Sequence, residues 1–473
     1  MKNRSSTLPC SNETTSYMRV KLGIPLSLQQ IAKDCGGEIR RTENLLITHI
    51  STDSREIKNS DLFIAISGNR YNGADFIDQA KQGGALILSS NEDKSDIFHQ
   101  NTRQALLNLA ANYIGYLPYL LYKIGITGSV GKTTTKEFLK KILSQKYSTH
   151  ASAGNFNNEI GMPMSVLSAP IETEILVMEM GMSGPGEISL MSKCLAPDLG
   201  IITNIGSAHI GLLGSRENIA KAKMELSHGI KNGKIIVLKD EELLSKLENK
   251  ITCSTTDITA DYCIKRMSNS KVNIYVNGQE YCTSNFALNE DHHLKCLASA
   301  VSATLLCGIT EEQLSQGISS ISLDNTRQTL LSAENLIFHN DCYNASLESM
   351  IAAIKEFILS TPEGKRSLLL GDVLETGIMR EAIHNEIGEC VSGSNINYLF
   401  LFGPNAFEIA NGAIKFGFPD ERISIISDIS KTSDMADLIK RLCPTGEHIL
   451  VKASRAIGLQ RSGRVSPAER AAI

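Results

Sequence analysis

The stretch Tyr122-Lys-Ile-Gly-Ile-Thr-Gly-Ser-Val-Gly-Lys-Thr-Thr134 joins a short apolar run to a glycine-rich turn and the start of a helical pattern. Its first six residues, 122–127, predict a buried strand, and the apolar spacing that follows predicts a helix over residues 133–145. Glycines allow successive backbone N–H groups to point at phosphate oxygens, and the N-terminus of the next helix adds partial positive charge. The stretch therefore predicts an α/β domain that binds a nucleoside triphosphate.

The glycine-rich turn departs from the common phosphate loop, because Ile126 stands where the pattern G-x-x-x-x-G-K-[ST] has its first glycine. Lys132 can reach the β- and γ-phosphates, and the Thr133 hydroxyl can bind Mg²⁺. The motif alone leaves kinase, ATPase and ligase open as functions. The residues expected to bind ATP here are Gly128, Ser129, Val130, Gly131, Lys132, Thr133 and Thr134.

The composition of the whole chain narrows its class. The 473 residues are enough for about three domains of ordinary size. A formal net charge of −4 argues against a general nucleic-acid binder, which needs a basic surplus. Eleven scattered cysteines without a C-x-x-C pair predict reduced thiols in a cytosolic protein, and neither a disulfide framework nor a zinc site. The polar residues after Met1 predict no signal peptide, and the Asn, Gly and Pro residues within 105–122 predict no membrane insertion.

Two series of alternating strands and helices organise the chain. Continuously apolar runs predict buried parallel strands in the first series, at Ile175–Met180, Leu199–Ile205 and Lys234–Leu238. Strand-like runs predict a separate α/β domain in the second, at Leu336–Asn340, Ser367–Leu370, Tyr398–Phe402, Ile423–Ile426 and His448–Lys452. The predicted division is a disordered N-terminus (1–20), three domains (21–103, 104–315 and 316–460) and a disordered tail (461–473).

The loop Thr-Gly-Ser-Val-Gly-Lys-Thr-Thr-Thr (127–135) resembles the ATP loop of the Mur ligases, a family that also includes folylpolyglutamate synthase. Other stretches are similar to the branch of this family that adds D-alanyl-D-alanine to a UDP-linked precursor. They are Ser51–Arg55, Asp61–Phe63, Gly68–Gly73, Gly154–Gly161, Asp341–Ala345 with Ser349 and Met350, Gly371–Glu375 and Val451–Arg455. The resemblance covers about residues 45 to 458, with the motifs in the family's order.

This resemblance implies three α/β domains: an N-terminal UDP-substrate domain, a central P-loop ATPase-like domain with a parallel sheet, and a C-terminal Rossmann-like domain. It implies a cytoplasmic, monomeric peptide ligase that joins D-alanyl-D-alanine to UDP-N-acetylmuramoyl-tripeptide. An acyl phosphate made from ATP would activate the carboxylate, and ADP and phosphate would be released. Negative charge gathers on both reacting groups, so cations, expected to be two Mg²⁺ ions, are needed between them.

Four residues are expected to hold these cations. Thr133 lies on the phosphate loop, and Glu179 ends a predicted strand, where ligands gather in open α/β sheets. His209 follows the next strand, in Asn204-Ile-Gly-Ser-Ala-His209. The resemblance places a carbamylated lysine at Lys223, since a buried neutral amine can capture CO₂ and become an oxygen ligand. Lys132, Glu179, His209 and Lys223 are the expected catalytic residues.

Further binding residues are implied by the resemblance. Ser54 and Arg55, with Thr52 and Asp53, would hold the UDP-sugar, since an arginine fork suits a pyrophosphate. Residues with expected contacts to the precursor are Asn157 and Asn158, with Glu159 holding their loop, and Lys452, Ser454 and Arg455. Residues with expected contacts to ATP outside the phosphate loop are His293, Arg327 and Asp341.

Two alternatives stay open at the level of sequence. One is a Mur-type ligase with a different amino acceptor, such as the third-residue-adding enzyme or folylpolyglutamate synthase. The other is a nucleotide-binding paralogue without activity. The second gains weight from Asp291-His-His-Leu-Lys-Cys-Leu297, where Leu294 and Leu297 replace two asparagines that meet adenine in the family. The third residue of the tripeptide, lysine or diaminopimelate, also stays open.

Overall fold

The computed structural model describes residues 19–43, 45–68, 72–268, 270–322, 329–333, 335–342, 344–454, 457 and 459. The chain folds into two compact units. One unit comprises the chain up to Leu121 together with His150–Met178, and the other comprises Tyr122–Thr149 and the chain from Glu179 onward. The domain limits predicted at 103 and 315 stay predictions.

The N-terminal part of the chain is a mixed sheet with helices. Its elements are β1 (Arg19–Ser27), α1 (Leu28–Cys35), β2 (Glu38–Ile39), β3 (Leu46–Ser51), β4 (Leu62–Ile64), α2 (Ile77–Gln82), β5 (Leu86–Ser89), β6 (Ile97–Phe98) and α3 (Thr102–Tyr113). The strand order is β1-β3-β4-β5-β6-β2. The prediction of a frayed segment over 1–20 is wrong for Arg19 and Val20, which pair with β3. Arg19 also makes two hydrogen bonds with the buried Asp61 carboxylate, which hold the strand end.

The middle of the chain alternates strands and helices and ends in antiparallel hairpins. Its elements are β7 (Tyr122–Thr127), α4 (Lys132–Leu143), β8 (Thr149–Ala151), α5 (Gly161–Leu167), β9 (Ile175–Glu179), α6 (Glu187–Leu195), β10 (Leu199–Ile202), α7 (Ile210–Leu213), α8 (Arg216–Met224), β11 (Lys234–Leu238), β12 (Lys250–Ser254), β13 (Tyr262–Ser268), β14 (Lys271–Val276), β15 (Gln279–Asn285), α9 (Asp291–Leu306) and α10 (Glu311–Ser319). In the second unit, strands follow the order β15-β14-β13-β12-β11-β10-β7. β7, β10, β11 and β12 are parallel neighbours in the order β7-β10-β11-β12. The continuous apolar runs predicted the first three as buried strands, and β12 was not predicted.

The helix after the phosphate loop packs by its apolar face. Phe138, Leu139, Ile142 and Leu143 of α4 are fully buried, and the Phe138 ring meets Phe286 edge-on. Each such side chain contributes about 1.5–3 kcal/mol when removed from water. This packing fixes the start of α4, and with it the phosphate loop, against the sheet.

The C-terminal part is a third sheet. Its elements are β16 (Thr329–Ala333), β17 (Leu336–Asn340), α11 (Leu347–Ser360), β18 (Arg366–Gly371), α12 (Arg380–Ser392), β19 (Leu399–Phe402), α13 (Phe407–Lys415), β20 (Ile423–Ile426), α14 (Thr432–Leu442) and β21 (His448–Lys452). The order is β16-β17-β21-β18-β19-β20, parallel except for the edge strand β16. The five strands predicted here are confirmed, and their carboxyl ends carry Asp341, Asp372 and Lys452 at or next to the last strand residue.

Two observations concern the described residues as a whole. Every cysteine among the described residues carries a free thiol. Within the described part of the chain, no helix is both long and apolar enough to cross a membrane. Residues 1–18 of the predicted disordered N-terminus (1–20) and the predicted disordered tail (461–473) lie outside the described residues.

Candidate active site

Two glycines of the phosphate loop are required by its geometry. Gly131 has φ of 82°, and a Cβ there would lie 2.9 Å from the Sγ atom of Cys296 on α9. Gly128 has φ of 150°, and a Cβ there would lie 1.9 Å from Thr203 Oγ1. Any larger residue would be strained and would push α9 or the loop after β10 away. The loop therefore depends on contacts with both neighbouring elements.

The loop after β10 braces the phosphate loop. The side-chain oxygen of Asn204 accepts the backbone N–H groups of Ser129 at 3.1 Å and Val130 at 2.9 Å. The N–H of Gly206 donates to Ser129 Oγ at 2.9 Å. Asn204 was not predicted as a site residue, although it begins the quoted stretch that ends at His209. The phosphate loop is thus held in shape by the chain segment that leads to His209.

Lys132 lies in the first turn of α4 and folds over the loop. Its ammonium group donates to the carbonyl oxygens of Gly128 at 2.7 Å and Ser129 at 3.3 Å. A cation held above backbone N–H groups and a helix N-terminus suits a polyphosphate. Thr134 continues the same helix turn.

Thr133 and Glu179 are in direct contact. The hydroxyl of Thr133 donates to Glu179 Oε2 at 2.8 Å, and Glu179 is 1% exposed. The next residue, Met180, donates its N–H to the carbonyl of Ile126 at 2.7 Å, which fixes the backbone after Glu179 beside β7. A hydroxyl and a carboxylate are hard oxygen ligands of the kind that Mg²⁺ prefers.

Lys223 is a buried lysine on α8. It is 2% exposed, whereas Lys221 on the same helix is exposed. Burial, reinforced by the charge of Lys132, holds the pKa of Lys223 well below its usual value. The amine is therefore shifted toward its neutral, nucleophilic form.

His209 lies at the start of α7 with φ of 65°. Its Nδ1 atom is 2.5 Å from Glu375 Oε2, on the C-terminal sheet's loop after β18. The hydrogen bond from His209 lowers the pKa of the Glu375 carboxyl. Glu375 ends the family-like stretch Gly371–Glu375, but no role was predicted for it. Among the described residues, no three His, Cys, Asp or Glu side chains cluster as a metal site. A cation here would thus need Thr133, Lys223 or phosphate oxygens as well.

The C-terminal sheet brings Asp341 and Lys452 together. Lys452 is 2% exposed and donates to Asp341 Oδ2 at 2.6 Å and to the carbonyl of Asn344 at 3.3 Å. Ser454 Oγ accepts the N–H of Leu374 at 2.9 Å. The side chains of Lys452 and Ser454 both form hydrogen bonds with backbone groups in this structure. Their contact with substrate stays a prediction. Arg327 and Arg455 lie outside the described residues.

His293 starts α9 beside the phosphate loop. It is 2% exposed, and its Nδ1 atom is 2.6 Å from Glu290 Oε2. The neighbouring His292 has its pKa lowered to about 3, mainly by burial and to a smaller extent by His293 and Lys452.

In the first unit, the residues expected to meet the UDP-sugar form one turn. Asp53 binds Arg55 at 2.5 Å, and this hydrogen bond lowers the pKa of the Asp53 carboxyl. The Arg55 side chain is 77% exposed, so its charge faces solvent. Ser54 Oγ donates to Gln79 Oε1 at 2.7 Å, and Thr52 lies in the same turn.

The loop 154–161 is also held within the first unit. Asn158 Oδ1 accepts the N–H groups of Ile160 at 3.2 Å and Gly161 at 2.7 Å, which fixes the loop directly before α5. Arg103 forms an ion pair with Glu159, as the expected role of Glu159 in holding this loop requires. Arg103 was missed, because no local pattern links it to a residue 56 positions away. Asn157 directly precedes Asn158 on the same loop.

The sequence matches three family descriptions along its length. They are the Mur ligase family, catalytic domain, over residues 46–119; the Mur ligase middle domain over 126–299; and the Mur ligase, glutamate ligase domain, over 326–455. The UDP-N-acetylmuramoyl-tripeptide--D-alanyl-D-alanine ligase of Bacillus subtilis is 37% identical over 433 residues, 88% of this chain and 93% of the relative. The enzyme of the same name from Synechocystis sp. is 31% identical, covering 88% and 91%.

Solved structures agree with this assignment. The crystal structure of MurF from Acinetobacter baumannii aligns with a TM-score of 0.81 at 25% identity, covering 93% of this chain and 98% of that one. MurF ligase from Thermotoga maritima in complex with ADP aligns with a TM-score of 0.72 at 28% identity, covering 87% and 95%. The chain belongs to the Mur ligase family. Its predicted fold of three α/β domains is thereby confirmed.

Proposed function

We propose that this chain is an ATP-dependent ligase that joins D-alanyl-D-alanine to UDP-N-acetylmuramoyl-tripeptide. The alignments with the relatives that bear this enzyme's name cover nearly the whole length of those relatives. The observation that carries the proposal is the buried contact between Thr133 of the phosphate loop and Glu179. This contact joins the nucleotide-binding loop to a buried carboxylate. A protein that only binds nucleotide, without catalysis, would not require a buried carboxylate there.

The reaction requires activation of a carboxylate. A carboxylate oxygen of the tripeptide attacks the γ-phosphorus of ATP, and the bond to the ADP oxygen breaks. The amine of D-alanyl-D-alanine then attacks the acyl carbon, loses a proton and expels phosphate. Lys132 and the N-terminus of α4 stabilise the charge on the transferring phosphoryl group.

Mg²⁺ fits the donors that this chain presents. The buried Glu179 carboxylate and the Thr133 hydroxyl are hard oxygen ligands already in contact, and His209 offers a ring nitrogen. Two ions, held by Thr133, Glu179, His209 and Lys223, would neutralise the negative charge that gathers between phosphate and carboxylate.

Lys223 would act as a carbamate. Its buried amine attacks CO₂, a C–N bond forms, and one N–H proton leaves, which yields an anionic oxygen ligand. The lowered pKa of Lys223 favours the neutral amine that this step needs. The same burial would make a protonated, positively charged Lys223 energetically costly.

The first unit would bind the UDP-linked precursor. The exposed Arg55 fork, held by Asp53, can donate two hydrogen bonds to a pyrophosphate. Asn157 and Asn158 would meet the peptide portion. We further propose that the enzyme acts as a monomer in the cytoplasm, where the ten described thiols would stay reduced.

A phosphate-release assay with substrate omission tests this function. Turnover should require ATP, UDP-tripeptide and D-alanyl-D-alanine together. Turnover with a UDP-dipeptide and a free amino acid would favour the third-residue-adding enzyme. Nucleotide binding without turnover on any acceptor would favour the inactive paralogue.

A further inference from the structure

One carboxylate of the C-terminal sheet contacts the loop after β10 twice. Glu375 Oε2 lies 2.5 Å from His209 Nδ1, and its backbone carbonyl accepts the N–H of Gly211 at 2.8 Å. Both Glu375 and His209 have positive φ, 59° and 65°. For residues with a Cβ, that conformation costs about 1–2 kcal/mol. Two such residues in mutual contact indicate that surrounding structure enforces this arrangement.

Two side chains of the C-terminal domain hold the backbone directly before Glu375. The N–H of Val373 donates to His384 Nε2 at 3.2 Å, and the N–H of Leu374 donates to Ser454 Oγ at 2.9 Å. His384 is fully buried, and its Nδ1 is 2.8 Å from the Arg380 carbonyl, so that its proton lies on Nδ1. The loop that carries Glu375 therefore has a defined position on the C-terminal sheet.

A second carboxylate holds the same loop two residues before His209. Glu348 accepts the backbone N–H of Ser207 at 2.7 Å and its hydroxyl at 3.0 Å. Glu348 lies in the first turn of α11, whose N-cap is Ser346, so the helix begins at a defined place. A Cβ on Gly206 would lie 2.8 Å from the Glu348 carboxyl carbon. A side chain at that position would have to displace the Glu348 carboxylate from this loop.

The two segments also approach backbone to backbone. A Cβ on Gly211 would lie 2.4 Å from the nitrogen of Gly377, and a Cβ on Gly377 would lie 2.7 Å from Gly211 Cα. Loop 206–211 is thus clamped by Glu348, by Glu375 and by the contact between these glycines.

We infer that Glu375 is a positioning residue, which the C-terminal domain supplies to fix the tautomer and orientation of the His209 ring for cation binding. This inference rests on the proposed function. A carboxylate can only accept, so Nδ1 carries the proton and Nε2 carries the lone pair. A histidine ligand oriented by a carboxylate in this way is a more basic and better-placed metal ligand. Docking of the C-terminal domain thereby becomes part of assembling the cation site.

A simple surface ion pair would behave differently. The His209 and Glu375 side chains are 25% and 51% exposed, and such pairs contribute little to stability. A surface pair predicts that removing Glu375 leaves the ring tautomer and the cation affinity unchanged. A positioning role predicts that both change, even where thermal stability does not.

The first test reads the tautomer directly. Nitrogen NMR of the ¹⁵N-histidine-labelled chain, with the His209 signal assigned from His209→Ala, should show the proton on Nδ1. In Glu375→Ala the signal should move toward the Nε2-protonated form, and in Glu375→Gln, which keeps an acceptor oxygen, it should stay near wild type. A wild-type signal in Glu375→Ala would overturn the inference.

The second test measures Mn²⁺ binding by EPR with a non-hydrolysable ATP analogue. Glu375→Ala should weaken Mn²⁺ binding by about 10- to 100-fold, with partial recovery in Glu375→Gln. In the His209→Ala background, Glu375→Ala should cause no further loss of Mn²⁺ affinity. Equal, independent losses would overturn the inference. Unchanged binding in His209→Ala would overturn the proposed cation site itself, whereas unchanged binding in Glu375→Ala alone would overturn only the positioning role.

A third variant acts through the glycine contact. Gly211→Ala should separate the two segments and weaken Mn²⁺ binding without altering any ligand. Gly393→Ala, at the end of α12 with open space around the added Cβ, is the matched control and should bind as wild type. Wild-type affinity in Gly211→Ala would contradict the clamp.

Discussion

The hydroxyl of Thr133 donates a 2.8 Å hydrogen bond to the carboxylate of Glu179, which is 1% exposed. A carboxylate buried to this degree loses its hydration and needs a partner that replaces water. A bound cation would in addition balance the charge of this carboxylate. This pair therefore links nucleotide binding to the chemistry that follows.

Glu179→Gln should impair catalysis without unfolding the protein. The amide can still accept from Thr133 but carries no charge for a cation. We expect kcat to fall about 10²- to 10³-fold, as when a group that stabilises transition-state charge is removed. Phosphate release at saturating ATP measures this, and raised Mg²⁺ should recover part of the loss. Near-normal turnover at ordinary Mg²⁺ would remove Glu179 from the site.

Lys132→Ala should abolish acyl-phosphate formation while leaving the fold intact. The lost ammonium group lies on the phosphate loop, so phosphoryl transfer should slow by at least about 10²-fold. Lys140→Ala, an exposed lysine on the same helix, is the matched control and should keep wild-type turnover. Near-normal turnover in Lys132→Ala would mean that the loop has been misinterpreted.

Lys223→Ala should lose most activity and recover part of it when a small carboxylate such as acetate is added. The added anion would replace the carbamate oxygens as a cation ligand. Lys221→Ala, the exposed neighbour on α8, should behave as wild type. A mild loss in Lys223→Ala with no rescue at any carboxylate concentration would favour an ordinary lysine.

Lys223→Met should stabilise the fold even as it removes activity. Burial lowers the pKa of Lys223, so the unfolded chain binds a proton that the folded one does not. In CO₂-free buffer, stability should therefore rise with pH until the ordinary lysine pKa is reached, and the methionine variant should lack this slope. We expect a gain of about 0.5–2 kcal/mol near neutral pH, measured by urea denaturation. A destabilised Lys223→Met would contradict the cost assigned to this lysine.

We expect the enzyme to recognise the adenine base weakly, because Leu294 and Leu297 stand where the family has asparagines. The two leucines are 5% and 0% exposed, and neither offers a hydrogen-bonding group to a base. Losing such bonds costs about 0.5–1.5 kcal/mol each, so the KM for ATP should be raised and GTP poorly rejected. The ratio of kcat/KM for ATP and GTP measures this, and a preference of a thousandfold or more would refute it. Leu294→Asn should tighten ATP, with Tm checked because a polar group enters a buried position.

Local patterns predicted several of the parallel strands. β7, β11, β17, β20 and β21 have the bounds that their apolar runs indicated. Burial explains the continuous apolar signal of β7, β11 and β21, whereas most residues of β17 and β20 are only half-buried. The antiparallel hairpins β13 to β15 were missed. Their half-exposed residues mix polar and apolar types, and their pairing depends on partners that no local window contains.

The parts of the site that lie within one short sequence motif could be predicted from the sequence. The phosphate loop follows from its strand, turn and helix context, and the enclosure of Glu179 follows from its place at the end of an apolar run. The special role of Lys223 was implied only by the family resemblance. The contacts of His209 with Glu375 and of Ser207 with Glu348 span 166 and 141 residues. Such contacts arise from how the C-terminal sheet packs on the central one, which spacing along the chain does not encode.

The most direct measurement follows one oxygen atom. A tripeptide precursor labelled with ¹⁸O in its terminal carboxylate is incubated with ATP, D-alanyl-D-alanine and the enzyme, and the released phosphate is examined by mass spectrometry. An acyl phosphate requires one labelled oxygen to leave with each phosphate, while the new peptide bond keeps the other. Labelled phosphate that appears only when all three substrates are present is the predicted result. Unlabelled phosphate alongside the ligated product would contradict acyl-phosphate ligation by this chain.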